Sequence, residues 1–257
     1  MFNLLWGVLF VVVHFGLFLL CYRLFGKKGL YAWVGVATVI ANIQVVKTIE
    51  MPLGIVMTLG NTMYVTLYMT SDLLNEKYGR AEARRAVWFG FFTLLMTTVI
   101  MQMALVFEPQ GEQIALDAQE SLKAIFGLMP RLALGSLLAY FISQFLDVRL
   151  YTWIRGYFGS YRQMWIRSNG STMISSFVDT LIFCTIAFAG LYSMEVWIEI
   201  LLTTYVVKFL LTAAGTPVLY LARSFRFPEE ETSAAPDKRS DAAASPMERS
   251  VQSSGRD

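Results

Sequence analysis

The chain alternates long apolar stretches with short polar connections. A helix needs about 20 mostly apolar residues to cross the hydrocarbon core of a bilayer. Seven stretches are long enough, and they cover residues 2–23, 30–50, 53–77, 84–107, 124–155, 164–190 and 194–223. The pattern predicts an all-α fold, a polytopic transmembrane helix bundle of about seven helices surrounded by the lipid bilayer.

Lysine and arginine are concentrated in alternate connections. The first, third and fifth connections hold Arg23, Lys27, Lys28; Lys77, Arg80, Arg84, Arg85; and Arg155, Arg162, Arg167. The fourth and sixth connections are mainly acidic, and the second is very short. Because basic connections stay in the cytoplasm, the N-terminus is predicted outside and the C-terminus in the cytoplasm, across the inner membrane of a bacterium.

Three regions are predicted along the chain. Residues 1–26 form an N-terminal transmembrane helix that precedes the rest, and its positive charges follow the apolar stretch rather than precede it, unlike those of a signal peptide. Residues 27–227 form a core of six helices. Residues 228–257 are rich in Ser, Ala, Glu and Arg, and such a segment is predicted to be a disordered cytoplasmic tail.

Composition excludes several classes of protein. A mean hydropathy of +0.52 is too apolar for a soluble domain. A net charge of +2 gives no reason to expect nucleic-acid binding. With one histidine and two distant cysteines, the sequence predicts no metal site, no cofactor and no catalytic residues, so the protein is not expected to be an enzyme.

Ionisable side chains interrupt the later apolar stretches. A charge at the bilayer centre is costly, so such groups usually face a partner or a polar cavity. Asp179 and Lys208 lie far from any other charge along the chain, and Gln144 and Asp147 share one helix face. A substrate contact and a structural ion pair are both open for Asp179 with Lys208, whereas Gln144 with Asp147 favours a binding role.

The third predicted helix carries a second polar face. Asn61, Tyr64, Tyr68, Asp72 and Glu76 recur at intervals of three and four residues. Aromatic rings beside carboxylates suit a flat, hydrogen-bonding small molecule such as a nucleobase, and Asn42 of the second helix adds another amide. Packing roles for the tyrosines, and a local charge network for Asp72 and Glu76, are the alternatives.

One short sequence pattern occurs twice. The sequence S-Q-F-L-D at residues 143–147 is similar to S-S-F-V-D at residues 175–179. Transporters often contain internal repeats, although five residues do not establish a duplication.

Three ordered motifs resemble the vitamin uptake or queuosine-precursor transporter family. They are S-D-L-L-N-E-K-Y-G at 71–79, S-Q-F-L-D-V at 143–148 and N-G-S-T-M-I-S-S-F-V-D-T at 169–180. The resemblance implies import of 7-cyano- or 7-aminomethyl-7-deazaguanine by a six-helix core. It also implies a set of candidate pocket residues, namely Asp72, Glu76, Gln144, Asp147, Asn169, Ser171 and Asp179, accompanied by Lys208; Asn42 and Tyr68 join them from the polar faces described above.

Three functional hypotheses follow. The first is a carrier that exposes a midplane site to each side of the membrane in turn. The second is the substrate-binding module of a multi-subunit ATP-driven vitamin importer, because the chain has no nucleotide-binding loop of its own. A membrane enzyme is the least supported. The sequence leaves open the energy source, which deazaguanine is carried, and whether two copies form a homodimer.

Overall fold

The computed structural model of the chain describes residues 2–50, 56–127, 130–188, 190 and 193–227. Its helices are α1 (Phe2–Gln44), α2 (Gly60–Tyr78), α3 (Arg80–Val106), α4 (Gln113–Phe126), α5 (Pro130–Tyr157), α6 (Met164–Phe188) and α7 (Met194–Ser224), with a short 3₁₀ turn at Tyr161–Gln163. Two three-residue strands, β1 (Thr48–Glu50) and β2 (Val56–Thr58), pair antiparallel. The predicted helical membrane bundle is confirmed, and the predicted tail at 228–257 lies outside the described residues.

Helix α1 is folded back on itself at Gly26. The backbone there has φ 56° and ψ −138°, a conformation that residues with a Cβ rarely adopt. The rings of Phe18 and Trp33 are 5.7 Å apart, whereas a straight helix would separate them by about 22 Å. The arms at 2–25 and 27–44 are therefore the first two predicted helices, and with them the described residues hold seven long helices.

Three predicted helix boundaries were wrong. The second predicted helix, at 30–50, ends at Gln44, and the third, at 53–77, begins as α2 at Gly60. Strands β1 and β2 lie between them, because β-branched residues around position 48 favour extended backbone. The fifth predicted helix, at 124–155, instead begins at Pro130. Proline suits the first turn of a helix, and the separate helix α4 precedes it with no buried residue.

Helix α2 is the centre of the bundle. Of its 19 residues, 16 are buried, and α2 packs against α1, α3, α5, α6 and α7. Among the described residues, only α1, α3, α7 and the segment Tyr161–Ala187 are apolar enough to qualify as membrane spans by hydropathy. The more polar α2 is enclosed by these helices, because lipid cannot satisfy its hydrogen-bonding groups.

The three basic connections meet at one end of the bundle, which we call the basic end. Lys27, just after the fold in α1, forms a 2.6 Å ion pair with Glu82 at the start of α3. Glu76 in the last turn of α2 pairs with Arg167 at the start of α6, also at 2.6 Å. Gly79 separates α2 from α3 with φ 87°. The odd connections therefore share one side, as the predicted topology requires.

Gly26 is expected to be essential for the fold in α1. Gly26→Ala places a Cβ in a backbone region that disfavours it, which costs about 1–3 kcal/mol. We expect a lower melting temperature in detergent, measured by size-exclusion chromatography of heated samples. Gly16→Ala is the matched control, because Gly16 is helical and nothing lies within 4 Å of an added Cβ. Equal melting temperatures for the two variants would contradict this account of the fold.

Candidate functional site

Glu76 is the centre of an ion-pair cluster at the basic end. Its Oε1 accepts hydrogen bonds from Nη2 of Arg167 at 2.6 Å and from Nε of Arg223 at 2.8 Å. Its Oε2 accepts from the hydroxyl of Tyr151 at 2.9 Å, and Nε of Arg155 lies 3.7 Å away. These partners come from α5, α6 and α7. One carboxylate of α2 thus connects four helices, and both of its oxygens are occupied.

Asp147 lies deeper in the bundle and is fully buried. Its oxygens accept hydrogen bonds from the hydroxyls of Ser175 at 2.9 Å and Ser71 at 3.2 Å, and the Thr172 hydroxyl is 3.4 Å away. No lysine or arginine of the described segments forms a salt bridge with Asp147. Among the described residues, its polar contacts are therefore with hydroxyl groups and with one neighbouring carboxyl group.

Asp72 is the ionisable neighbour of Asp147. The two carboxyl groups are close enough to interact directly. Oδ2 of Asp72 accepts a short hydrogen bond from the hydroxyl of Ser168, whereas Oδ1 is buried and has no partner. Ser168 and Thr172 are one helical turn apart on α6, so the two carboxylates lie at successive levels against the same helix.

Asp179 and Lys208 form a buried ion pair between α6 and α7. Nζ of Lys208 donates to Oδ2 of Asp179 at 2.6 Å and lies 5.2 Å from the centre of the Tyr64 ring. Oδ1 of Asp179 accepts a hydrogen bond from Ser143 at 3.0 Å. Both carboxylate oxygens therefore have partners within the protein.

The two copies of the repeated pattern bind each other reciprocally. Ser143 of the first copy donates to Asp179 of the second, and Ser175 of the second donates to Asp147 of the first. The pairs 143 with 179 and 147 with 175 fit antiparallel helices, and α5 and α6 pack closely. The two motifs are thus related by a local pseudo-two-fold axis between α5 and α6.

A chain of polar contacts runs from the Asp179–Lys208 ion pair to the end of the bundle opposite the basic end. The Asn42 Oδ1 accepts from the Ser136 hydroxyl at 2.6 Å, and the Ser136 and Tyr64 hydroxyls are 3.2 Å apart. Asn42 also donates to the backbone carbonyl of Thr38. The amide of Asn42 is therefore used to fix α1 against α5.

Several buried polar atoms in the middle of the bundle have no hydrogen-bond partner in the part of the chain that the structure describes. A buried polar group without a hydrogen bond costs free energy, so each one requires an explanation. The hydroxyl of Tyr68 lies close enough to both aspartates of the repeat, Asp179 and Asp147, to feel their charges. Asn61 Nδ2 is also unpartnered, but Asn61 lies at the start of α2, near the end of the bundle that holds Asn42. The unpartnered central atoms are Tyr68 OH, Asp72 Oδ1, Gln144 Nε2 and Ser176 Oγ. They lie on α2, α5 and α6.

The predicted residues are not all in one place. Those that the structure brings together in the middle of the bundle are Tyr68, Asp72, Gln144, Asp147, Ser171, Asp179 and Lys208. Glu76 belongs to the cluster at the basic end, and Asn42 to the chain at the other end. Asn169 is half-buried and donates to Thr216 of α7 at 2.8 Å, while its Oδ1 has no partner.

Sequence reasoning missed Arg167 and the role of the hydroxyls. Arg167 was assigned to a basic connection, yet its side chain is fully buried and forms an ion pair with Glu76. Ser168, Ser171, Thr172 and Ser175 follow it at helical spacing, and only Ser171 of these four was among the predicted pocket residues. The spacing itself was the available signal, because a continuous polar stripe inside a membrane bundle needs polar partners.

Comparison with known proteins gives a consistent result. The family model described as "putative vitamin uptake transporter" matches residues 58–222. A probable queuosine precursor transporter of Bacillus subtilis (strain 168) is 49% identical over 233 residues, which cover 91% of this chain and 100% of the relative. The queuosine precursor transporter of Escherichia coli (strain K12) is 29% identical over 165 residues, 62% of this chain and 69% of the relative. No solved structure matches the chain significantly.

Proposed function

This chain belongs to the vitamin uptake transporter family, and we propose from that premise that it is a membrane transporter that imports a queuosine precursor. The substrate is 7-cyano- or 7-aminomethyl-7-deazaguanine, and the membrane is the bacterial inner membrane. The observation that carries the proposal is the set of buried, unpartnered hydrogen-bonding atoms in the middle of the bundle. A deazaguanine presents donors and acceptors along its edges and can satisfy such atoms when it binds.

The central residues have distinct roles in this proposal. Tyr68 and Gln144 bind the base, because their free hydroxyl and amide groups lie at the level between Asp147 and Asp179. Asp72, Asp147, Asp179, Ser171, Asn169 and Lys208 form the surrounding polar wall. Glu76 and Asn42 position the helices that carry these groups.

The pseudo-two-fold arrangement of α5 and α6 supports a carrier mechanism. Many carriers are built from inverted repeats and place the substrate near the bilayer midplane, at the repeat interface. The reciprocal hydrogen bonds between the two motifs lie at such an interface. Rocking of one helix group against the other would expose the site to each side in turn.

The proposal is tested in a strain that can neither make nor import the precursors. Expressing this chain and supplying either deazaguanine should restore queuosine in tRNA, measured by mass spectrometry of nucleosides. Guanine supplied at the same concentration is the substrate control. Absence of queuosine despite normal membrane levels of the protein would overturn the proposed function.

Gln144→Leu is expected to weaken uptake without lowering the protein level. The Nε2 atom of Gln144 has no partner among the described residues, so its removal breaks no hydrogen bond seen there. Losing its bond to the substrate costs about 1–3 kcal/mol, which raises the half-saturating concentration about 5- to 150-fold. Gln113→Leu on the exposed helix α4 is the control, and both variants are assayed for uptake at equal membrane abundance. Unchanged uptake by Gln144→Leu would remove Gln144 from the site.

The proposed topology places the N-terminus outside and the basic end in the cytoplasm. Reporter fusions after Gln110 and after Arg162 should then report opposite sides, because these positions lie in an acidic and a basic connection. Alkaline phosphatase should be active after Gln110, and green fluorescent protein should fluoresce after Arg162. The same side for both fusions would show that the helix count is wrong.

A further inference from the structure

The pseudo-two-fold axis between α5 and α6 makes Asp147 and Asp179 equivalent, but their surroundings differ. Each aspartate accepts a hydrogen bond from the serine of the other motif. Asp179 has the ammonium group of Lys208 beside it at 2.6 Å. Asp147 has instead a second carboxylate, that of Asp72. One half of the repeat thus carries its own fixed cation, and the other half does not.

Two adjacent carboxylates in a dry interior repel each other unless they share a proton or a positive charge lies nearby. Asp72 is 1% and Asp147 is 0% exposed, so water screens this repulsion little. Asp72 also keeps one buried oxygen without a hydrogen bond. Both observations favour a positive charge at this pair in the functional protein, either a shared proton or a metal cation.

From the ligand set, we propose that Asp72 and Asp147 bind a sodium ion that is co-transported with the substrate. This inference rests on the proposed transport function and adds its coupling ion. The potential ligands are oxygens only, which hard cations prefer. They are the two carboxylates and the buried hydroxyls of Ser71, Ser168, Thr172 and Ser175.

The hydroxyls can change partner when the ion binds. Ser71 lies 2.9 Å from the carbonyl of Tyr68, and Ser175 lies 2.9 Å from the carbonyl of Ser171, in addition to their contacts with Asp147. A hydroxyl has one proton and can donate to only one acceptor at a time. Turning toward its own helix frees a lone pair for sodium. Magnesium fits less well, because it retains several waters that this buried cluster would not accommodate.

The first test measures binding without substrate. Purified protein in detergent is heated in NaCl or in KCl at equal ionic strength, and the melting temperature is recorded. We expect a higher melting temperature in NaCl, and we expect Asp147→Asn to abolish the difference and Ser175→Ala to reduce it. Ser175→Ala is included because it removes one hydroxyl and leaves the charges in place. Glu195→Gln, on the exposed first turn of α7, is the matched control and should retain the difference.

The second test measures coupling in liposomes that contain only this protein. The probe is 7-cyano-7-deazaguanine. Unlike 7-aminomethyl-7-deazaguanine, it has no aminomethyl group, whose positive charge could itself occupy the carboxylate pair. An inward sodium gradient at equal pH should accelerate its uptake about tenfold over a potassium gradient, and Ser175→Ala should raise the half-saturating sodium concentration about tenfold.

The outcomes separate this inference from the proposed function. Equal melting temperatures in NaCl and KCl would overturn the sodium site whether or not uptake occurs. Uptake driven by a pH gradient and indifferent to sodium would also overturn it. Sodium-specific stabilisation that Asp147→Asn removes, in a protein that takes up no deazaguanine, would support the ion site while the proposed substrate fails.

Discussion

Glu76→Gln is expected to reduce the amount of folded protein severely. Arg167 is fully buried and forms its ion pair with Glu76 at 2.6 Å, so neutralising Glu76 leaves an uncompensated buried charge. Breaking a buried pair by removing one partner costs about 3–5 kcal/mol. The melting temperature in detergent and the membrane level should both fall, because α2, α5, α6 and α7 lose their common contact.

Glu82→Gln provides the matched control at the same end of the bundle. Glu82 also pairs with basic side chains, Lys27 and Arg85, but those side chains are 34% and 74% exposed. Exposed ion pairs contribute about 0–1 kcal/mol, so this variant should stay close to the unmodified protein. If Glu76→Gln were as stable as Glu82→Gln yet lost substrate uptake, Glu76 would be a substrate ligand, as the family motif predicted.

The fold was largely predictable because hydropathy dominates a membrane protein. Seven apolar stretches gave seven long helices in the right order, and the alternation of basic connections agrees with their meeting at one end. The errors lie where backbone geometry decides. The strands around Thr48 and the start of α5 at Pro130 depend on local conformational preference, which a window of about 20 residues averages away.

The candidate site was predictable only in part. A carboxylate within an apolar stretch is conspicuous because burying a charge is costly, and so Asp147 and Asp179 could be recognised along the chain. Their partners could not, because Ser143 bonds to Asp179 and Ser175 to Asp147 across two helices. Arg167 was misassigned because a basic residue near a helix end is usually solvated, and only the approach of Glu76 from α2 shows otherwise.

The role of the repeated pattern likewise depends on contacts between helices that the sequence does not show. Five similar residues prove little as a sequence, but reciprocal bonds between the two copies define a symmetric arrangement. Within that arrangement, the difference between Lys208 beside Asp179 and Asp72 beside Asp147 becomes visible. Asp179, which has the fixed cation Lys208 beside it, belongs to a structural pair. Asp147, which has the carboxylate of Asp72 beside it, belongs to the pair that we propose binds an ion.

The structural pair leads to the other large expected effect. Asp179→Asn alone leaves Lys208 as an unpaired buried ammonium, and Lys208→Met alone leaves Asp179 as an unpaired buried carboxylate. Each single variant should be destabilised by about 3–5 kcal/mol. The double variant removes both charges and should recover most of the melting temperature and membrane level, since replacing a whole buried pair is often neutral.

Uptake of the double variant decides between the two roles that the sequence left open. Both Asp179 oxygens are occupied by Ser143 and Lys208, and the Lys208 ammonium also contacts Thr180 and the Tyr64 ring. These contacts within the protein favour a structural role for the pair, so the folded double variant should take up deazaguanine at low concentration. The control double variant, Lys27→Met with Glu82→Gln, removes an ion pair at the basic end and should change little. A double variant of Asp179 and Lys208 that folds normally but does not transport would place the pair in the substrate site, because restored packing alone would then be insufficient for uptake.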